Sequence, residues 1–258
     1  MLLVDYSNSM LLTIITSVFN AKDTIEQCLL SVLCQTHDNI EHLVVDGGSD
    51  DGTAEIVERY RDRIAGFVSE PDEGIYHAMN KGIRLATGDI VGFLNADDFY
   101  ADRQVLADVV RIMEKTRADC CYGDLEYVQK GDTRRVMRKW KSGPYEEGLF
   151  ERGWHPPHPS FFVRKEIFDR YGMFDTSFDI ASDYELMLRF LKKHKIKWCY
   201  LPRVLVKMRT GGTSAGSLRQ ILKANIESYR AWKKNGLQMS PLIMVRKPFL
   251  YFKQYGRK

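Results

Sequence analysis

Over about the first hundred residues, the hydrophobic pattern switches repeatedly between two periods. Leu11-Leu12-Thr13-Ile14-Ile15-Thr16-Ser17-Val18 is a β-branched apolar run that predicts a strand buried on both faces. Beyond Phe19-Asn20-Ala21, apolar residues at Ile25, Cys28, Leu29, Val32 and Leu33 recur at helical spacing. His42 to Val45 reads as a second strand, and the Gly- and Asp-rich loop 46–53 opens a helix from Ala54 to Arg61. A short strand, 67–70, and the turn Pro71-Asp72-Glu73-Gly74 lead to a helix over Ile75 to Leu85. Ala86 to Asp89 closes that helix and feeds the apolar run Ile90-Val91-Gly92-Phe93-Leu94, which Asn95-Ala96-Asp97-Asp98 cuts short. Such alternation predicts an α/β chain with a doubly wound, mostly parallel sheet. Ligands of such sheets bind beyond the carboxyl ends of the strands, where Asn20, Asp46, Asp72, Asp97 and Asp98 all fall.

The second half is less regular. It predicts a helix from Val105 to Met113 and two strands, Cys120–Val128 and Arg134–Trp140, joined through Lys130-Gly131-Asp132. The loop Trp154-His155-Pro156-Pro157-His158-Pro159-Ser160 precedes a strand at Phe161–Val163. Ser182-Asp183-Tyr184-Glu185 opens a helix with Leu186, Met187, Phe190 and Leu191 on its apolar face. Lys197 to Leu201 reads as a last short strand, 210–216 as a loop, and Leu218 to Lys234 as a helix.

The chemistry begins with the acid pair. Two adjacent carboxylates at a strand end repel one another, and a hard divalent cation is the usual reason for the pairing. The alternative is a turn in which Asp97 or Asp98 caps the next helix. No G-x-G-x-x-G and no G-x-x-x-x-G-K-[ST] is present, so an acid-lined rim reaches phosphate only through a cation.

Composition adds three points. The 258 residues carry a net charge of +4, too mild to suggest nucleic acid. From Arg219 onward the charges are basic apart from Glu227, and the aromatic tail 245–255 suits either an anionic membrane face or packing on the domain. The five cysteines have no metal-site spacing and suit a reducing, cytoplasmic setting, and no apolar run is long enough to span a bilayer.

Several ordered motifs then give the chain a family likeness. They are Ser17-Val18-Phe19-Asn20, Val44-Val45-Asp46-Gly47-Gly48-Ser49-Asp50-Asp51-Gly52-Thr53, Pro71-Asp72-Glu73-Gly74-Ile75-Tyr76-His77-Ala78-Met79-Asn80-Lys81-Gly82, Phe93-Leu94-Asn95-Ala96-Asp97-Asp98 and Ser182-Asp183-Tyr184-Glu185-Leu186-Met187-Leu188-Arg189. In this order they resemble the family-two glycosyltransferases, inverting enzymes of GT-A fold that make bacterial surface polysaccharides. Val18, Gly47 and Asn95 depart from the pattern, standing where the family often has proline, a second acid and the first acid of D-x-D-D.

The resemblance implies a nucleotide-sugar donor, expected to carry UDP, and a glycan or lipid-linked acceptor. It implies that Asp46 binds the pyrimidine base, that Ser17 and Phe19 line the base pocket, and that Asp72 reaches the nucleotide. Asp97 is expected at the ribose or sugar and Asp98 at Mg²⁺ or Mn²⁺, with the choice of metal ligand between them left open. Asp183 is expected to be the general base, with an N-cap as its alternative role. His158 is expected at the acceptor, and Gly211-Gly212-Thr213-Ser214 as a lid or plain linker. The expected organisation is a glycosyltransferase domain over 1–217, nucleotide-binding in 11–100 and acceptor-binding in 101–217, with a helical basic extension over 218–258. Two rivals are a sugar nucleotidyltransferase, for which Phe19-Asn20-Ala21-Lys22 lacks the basic Gly-rich loop, and a non-catalytic sugar-binding protein, which needs no Asp183.

Overall fold

In the computed structural model, which describes residues 10–211 and 218–238, strand β1 (Leu12–Val18) is buried along its whole length. Its unbroken apolar run demands cover on both faces and a partner on each edge. Parallel neighbours β2 (Ile40–Asp46) and β4 (Ile90–Phe93) supply the edges, and β3 (Gly66–Ser69) runs parallel outside β2. The crossovers are α1 (Ile25–Leu33), α2 (Thr53–Glu58) and α3 (Ile75–Leu85). The order β3-β2-β1-β4 puts the topological switch between β1 and β4. At Gly82 the helix α3 lies directly on β1, since a Cβ there would come 2.4 Å from Ile15 Cγ2.

Beyond β4 the sheet becomes mixed. Strand β5 (Asp98–Tyr100) begins at the second acid of the pair and lies antiparallel to β9 (Trp198–Arg209) at the far edge. After α4 (Val105–Thr116) come β6 (Cys120–Gln129), β7 (Asp132–Trp140) and β8 (Phe161–Arg164). Strand β8 runs antiparallel between β4 and β6, and β6 also carries β7 and, parallel, β9. The chain continues through α5 (Lys165–Tyr171), α6 (Ser182–Met187) with a π-helical turn at Leu188–Lys193, and α7 (Leu218–Lys234). Cores form on both faces: Leu12, Ile14, Val44 and Phe162 on one, and Ile15, Phe93, Tyr122 and Trp232 on the other.

Two expectations change here, and the segment 165–171, which carried no sequence-based assignment, is helical. The last strand does not stop at Leu201: it passes Pro202 through a register shift against β6 and runs on to Arg209. The helix expected to start an extension at residue 218 is instead built into the body. Trp232 and Ala231 of α7 are buried in the core, and Trp232 Nε1 donates to Tyr184 Oη at 2.8 Å. The lid residues 212–214 and the basic aromatic tail lie outside the described residues. Among those described, no helix is long and apolar enough to cross a membrane. All five cysteines are unpaired.

Candidate active site

The rim at the β1–β4 switch is built by loops that bind one another. Asn20 takes a left-handed turn (φ 48°) after β1, its N–H donating to Ser49 Oγ at 2.8 Å. In return Asn20 Oδ1 accepts the Asp50 N–H at 3.1 Å. Ala21 N–H donates to Thr53 Oγ1 at 2.8 Å, and Asp51 caps the start of α2 through the Thr53 N–H at 3.0 Å. Asp46 is wholly buried in this knot. Its carboxylate accepts the Ser49 N–H and hydroxyl and, at 2.6 Å, the Ser69 hydroxyl. The base contact expected of Asp46 is therefore not open to it here: both oxygens hold the protein's own loop.

A slot lies beside it. The Phe19 ring is 64% exposed, which is unusual for a phenylalanine on a globular surface. A Cβ on Gly47 would sit 3.5 Å from Phe19 Cδ2 and 3.8 Å from Asp72 Cβ, so glycine keeps the floor between the two clear. Asp72 Oδ1 accepts Lys81 Nζ at 2.8 Å, whereas Oδ2 is shielded and has no partner. Ser17 Oγ, two residues before Phe19, is also buried without a partner among the described residues.

The two acids of the pair have parted company. Asp97 lines a cavity of about 180 Å³ together with Asn20, Lys22, Asp51, Lys130 and Arg209. Asp98, drawn into β5 beside β9, is fully buried, and neither of its oxygens has a hydrogen-bond partner among the described residues. Burial first, and then the neighbouring Asp97 charge, push its pKa well above the usual carboxylate range; Arg209 opposes them. Of the two candidate cation ligands, Asp97 lines the cavity and Asp98 is buried with both oxygens unpartnered among the described residues.

Arg209 is the residue that sequence reasoning missed. It is nearly buried at the end of β9, donates to the Asp97 carbonyl and to Gln27 Oε1, and lies 5.0 Å from the Phe99 ring centroid. The apolar residues Val204, Leu205 and Val206 signalled that β9 continues, but Pro202 masked them.

Asp183 stands apart from this cavity, in the first turn of α6, where Ala181 and not Asp183 is the N-cap. Its Oδ1 accepts the Tyr184 N–H at 2.7 Å. The segment entering the helix is held by Glu227 of α7, whose carboxylate accepts the N–H groups of Asp179, Ile180 and Ala181 at 3.3, 2.9 and 2.9 Å. Glu185 and Arg189 form a buried ion pair at 3.0 Å, and Arg189 also donates to the Gly172 and Met173 carbonyls.

His158, expected at the acceptor, is buried instead. Its ring stacks on Phe93 (centroids 5.3 Å apart) and meets Phe174 edge-on at 5.5 Å, with Nε2 unpartnered. Burial lowers its pKa, partly offset by the Asp183 charge. It backs Asp183 and is not exposed to meet a substrate. Through Phe93 of β4, the same stack links the neighbourhood of Asp183 to the strand that ends near Asp97.

A family model described as Glycosyl transferase family 2 matches residues 13–172, and with them the Asp46, Asp72 and Asp97 motifs. The chain belongs to glycosyl transferase family 2. A relative described as an uncharacterized glycosyltransferase of Mycobacterium tuberculosis is 31% identical over 186 residues, covering 69% of this chain and 67% of that protein. Among solved structures, Staphylococcus aureus TarS 1–349 in complex with UDP-GlcNAc superposes with a TM-score of 0.67 at 16% identity, over 95% of this chain and 73% of that one. Against another, longer TarS chain this one spans 41%. The Pyrobaculum calidifontis mannosyltransferase PcManGT, in complex with GDP-Man and Mn²⁺, gives 0.63 at 23% identity, over 96% and 70%. At these identities the superpositions establish the GT-A fold. The family makes the protein a glycosyltransferase.

Proposed function

We propose that this glycosyltransferase is inverting, takes a UDP-sugar, and passes the sugar to a hydroxyl of a glycan or lipid-linked acceptor in surface-polysaccharide synthesis. The observation that carries the reading is the slot of exposed Phe19, the Gly47 floor and the Asp72 carboxylate. It opens on the rim that also presents Asp97. A planar base stacks on Phe19, and the Asp72 carboxylate, rather than Asp46, accepts its N–H once the shielded Oδ2 turns outward. Asp46 acts one step back, by fixing the 46–49 turn under the base.

A divalent cation fits this rim only in part as a protein-made site. Among the described residues no three His, Cys, Asp or Glu side chains cluster as ligands. Mg²⁺ and Mn²⁺, however, commonly bind through one or two carboxylates plus substrate phosphate, and Asp97 supplies one such carboxylate. When bound, the cation would neutralise the departing diphosphate. Lys22, Lys130 and Arg209 line the same cavity and add positive charge there.

In the transfer, the acceptor oxygen bonds to the anomeric carbon as that carbon's bond to the diphosphate oxygen breaks. The electron pair leaves with the nucleoside diphosphate, and the acceptor proton passes to Asp183. One displacement turns an α-linked donor into a β-linked product.

Calorimetry with UDP, GDP and dTDP, each with and without Mn²⁺, tests the donor side. Tight, Mn²⁺-dependent binding of UDP alone is expected; Asp97→Asn should remove the Mn²⁺ dependence and Asp98→Asn should keep it. Asp183→Asn should cut transfer by about 10²–10⁴-fold with UDP affinity intact. Binding of none of the three nucleotides would overturn the donor reading, and undiminished transfer by Asp183→Asn would remove Asp183 as the base.

A further inference from the structure

Tyr76 and Asp183 come from opposite halves of the chain and meet where those halves join. The Tyr76 ring is buried and stacks on Phe174, with centroids 5.6 Å apart and planes inclined by 26°. Its hydroxyl donates to the Ile180 carbonyl at 2.7 Å and lies 3.4 Å from Asp183 Oδ1. Oδ1 is the same oxygen that accepts the Tyr184 N–H. Among the described residues both hydrogen-bond contacts on the carboxylate therefore fall on one oxygen, and Oδ2 is the one left for an acceptor hydroxyl.

Burial, and next to it the Asp183 charge, hold the Tyr76 phenol far above its ordinary pKa. The group is thus a fixed donor and never a competing anion. One turn on, Asn80 exchanges two hydrogen bonds with the Phe174 backbone, each 2.9 Å. Its neighbour Lys81 bridges Asp72 at 2.8 Å and Glu70 at 2.7 Å. Helix α3 thus grips a nucleotide-side carboxylate on one side and the segment carrying Asp183 on the other. Packing alone accounts for the Tyr76 ring. It does not account for a hydroxyl placed against both the backbone before α6 and the carboxylate within it.

We propose that Tyr76 is a positioning residue for Asp183, its single hydroxyl proton shared between the Ile180 carbonyl, the near acceptor, and Oδ1, the far one, so that Oδ2 faces the acceptor. The inference rests on the reading of Asp183 as general base.

Hydrolysis of a nucleotide sugar, in which water replaces the acceptor, provides the test without knowledge of the natural acceptor. The donor used is whichever of UDP-N-acetylglucosamine, UDP-glucose, UDP-galactose and GDP-mannose the wild-type protein hydrolyses fastest. Tyr76→Phe keeps the ring on Phe174 and removes only the hydroxyl. It should lower kcat about 10–100-fold. KM for the donor and Kd for its nucleoside diphosphate with Mn²⁺ should stay within about twofold. Placed in an Asp183→Glu background, which moves the carboxylate off the hydroxyl, the same substitution should cost less than about twofold, because coupled residues do not add.

Wild-type kcat in Tyr76→Phe, alongside an inactive Asp183→Asn, would overturn this inference and leave the base assignment standing. A loss carried by nucleotide affinity, or an equal loss in both backgrounds, would overturn it in favour of a general structural role. Undiminished hydrolysis by Asp183→Asn would instead bring down the base assignment itself, a different result from either.

Discussion

The loops after β1, β2 and β3 that build the donor rim bind one another across 32 positions or fewer, whereas the side chains that hold the segment around Asp183 reach across 46 to 107. Asp46 binds Ser49 three positions on, and Asp51 binds Thr53 two positions on. By contrast, Tyr76 reaches Asp183 across 107 positions, Asn80 reaches Phe174 across 94, and Glu227 reaches Ile180 across 47. The loops after β1 and β2 can take their shape once β1, β2 and β3 have paired, with Arg209 joining when β9 arrives. The geometry around Asp183, the proposed base, exists only once α3, α6 and α7 have docked. A substitution on the rim should therefore act on nucleotide affinity, and one around Asp183 on turnover and global stability.

The largest test of this contrast is Glu227→Ala. It strips the acceptor from three backbone N–H groups in a near-buried setting, and urea unfolding should show a loss of about 3 kcal/mol or more. UDP affinity of the folded protein should stay within about twofold. A variant of unchanged stability would show that α7 is not what holds the base.

The next test sets one buried histidine of each half against the other. His42 lies under the rim, its Nε2 2.9 Å from Thr16 Oγ1, and burial lowers its pKa to about 3; burial also lowers that of His158. Unfolded, each ring takes up a proton below its ordinary pKa near 6.5, while the folded rings stay neutral. Stability is therefore present above that pH and falls on acidification, by about 1.4 kcal/mol per pH unit for each ring that stays neutral. For His42 the fall should continue towards pH 3, and His42→Gln should flatten it in urea titrations between pH 6.5 and 4. For His158, which the Asp183 charge partly supports in its protonated form, the fall should level off sooner. Equal slopes to the same pH would deny that Asp183 acts on His158.

The smallest expected effect is on the rim itself. Ser49→Ala removes a side-chain bond to Asp46 and should cost about 1 kcal/mol of stability. UDP binding should weaken several-fold through the loosened turn, with kcat at saturating donor nearly unchanged. A fall in kcat with UDP affinity kept would reverse the contrast.

The same difference decides what the sequence could reveal. The four parallel strands and the span of α3 were legible, because local hydrophobic period and turn chemistry dictate them. So was the rim as a set of acids, since strand ends in such a sheet share one edge. What could not be read was which atoms face outward. Asp97 and Asp98 are neighbours of identical chemistry, and their separation into cavity wall and buried strand depends on β9 arriving from about a hundred residues away. Asp46 was expected at the base through the family likeness, which carries no information on what seals the loop; here Ser69, from another strand, helps to close it in. His158 sat in a proline-rich loop that suggested a surface, yet two phenylalanines distant in sequence close over it. Arg209 escaped notice because Pro202 argues against a continuing strand, a local rule overruled by a register shift in the long pairing with β6.

Glu227 is the only acid in the basic stretch that begins at Arg219, and it is spent on the backbone just ahead of Asp183. Helix α7 therefore works as a tension member, anchoring from outside the family-matched segment a carboxylate that its own helix could not hold alone. With Asp183 as the base proposed above, a molecule that grips or tilts α7 gains a handle on reaction rate without touching either substrate. The helix that comes last among the described elements is thus the natural place to attach a brake.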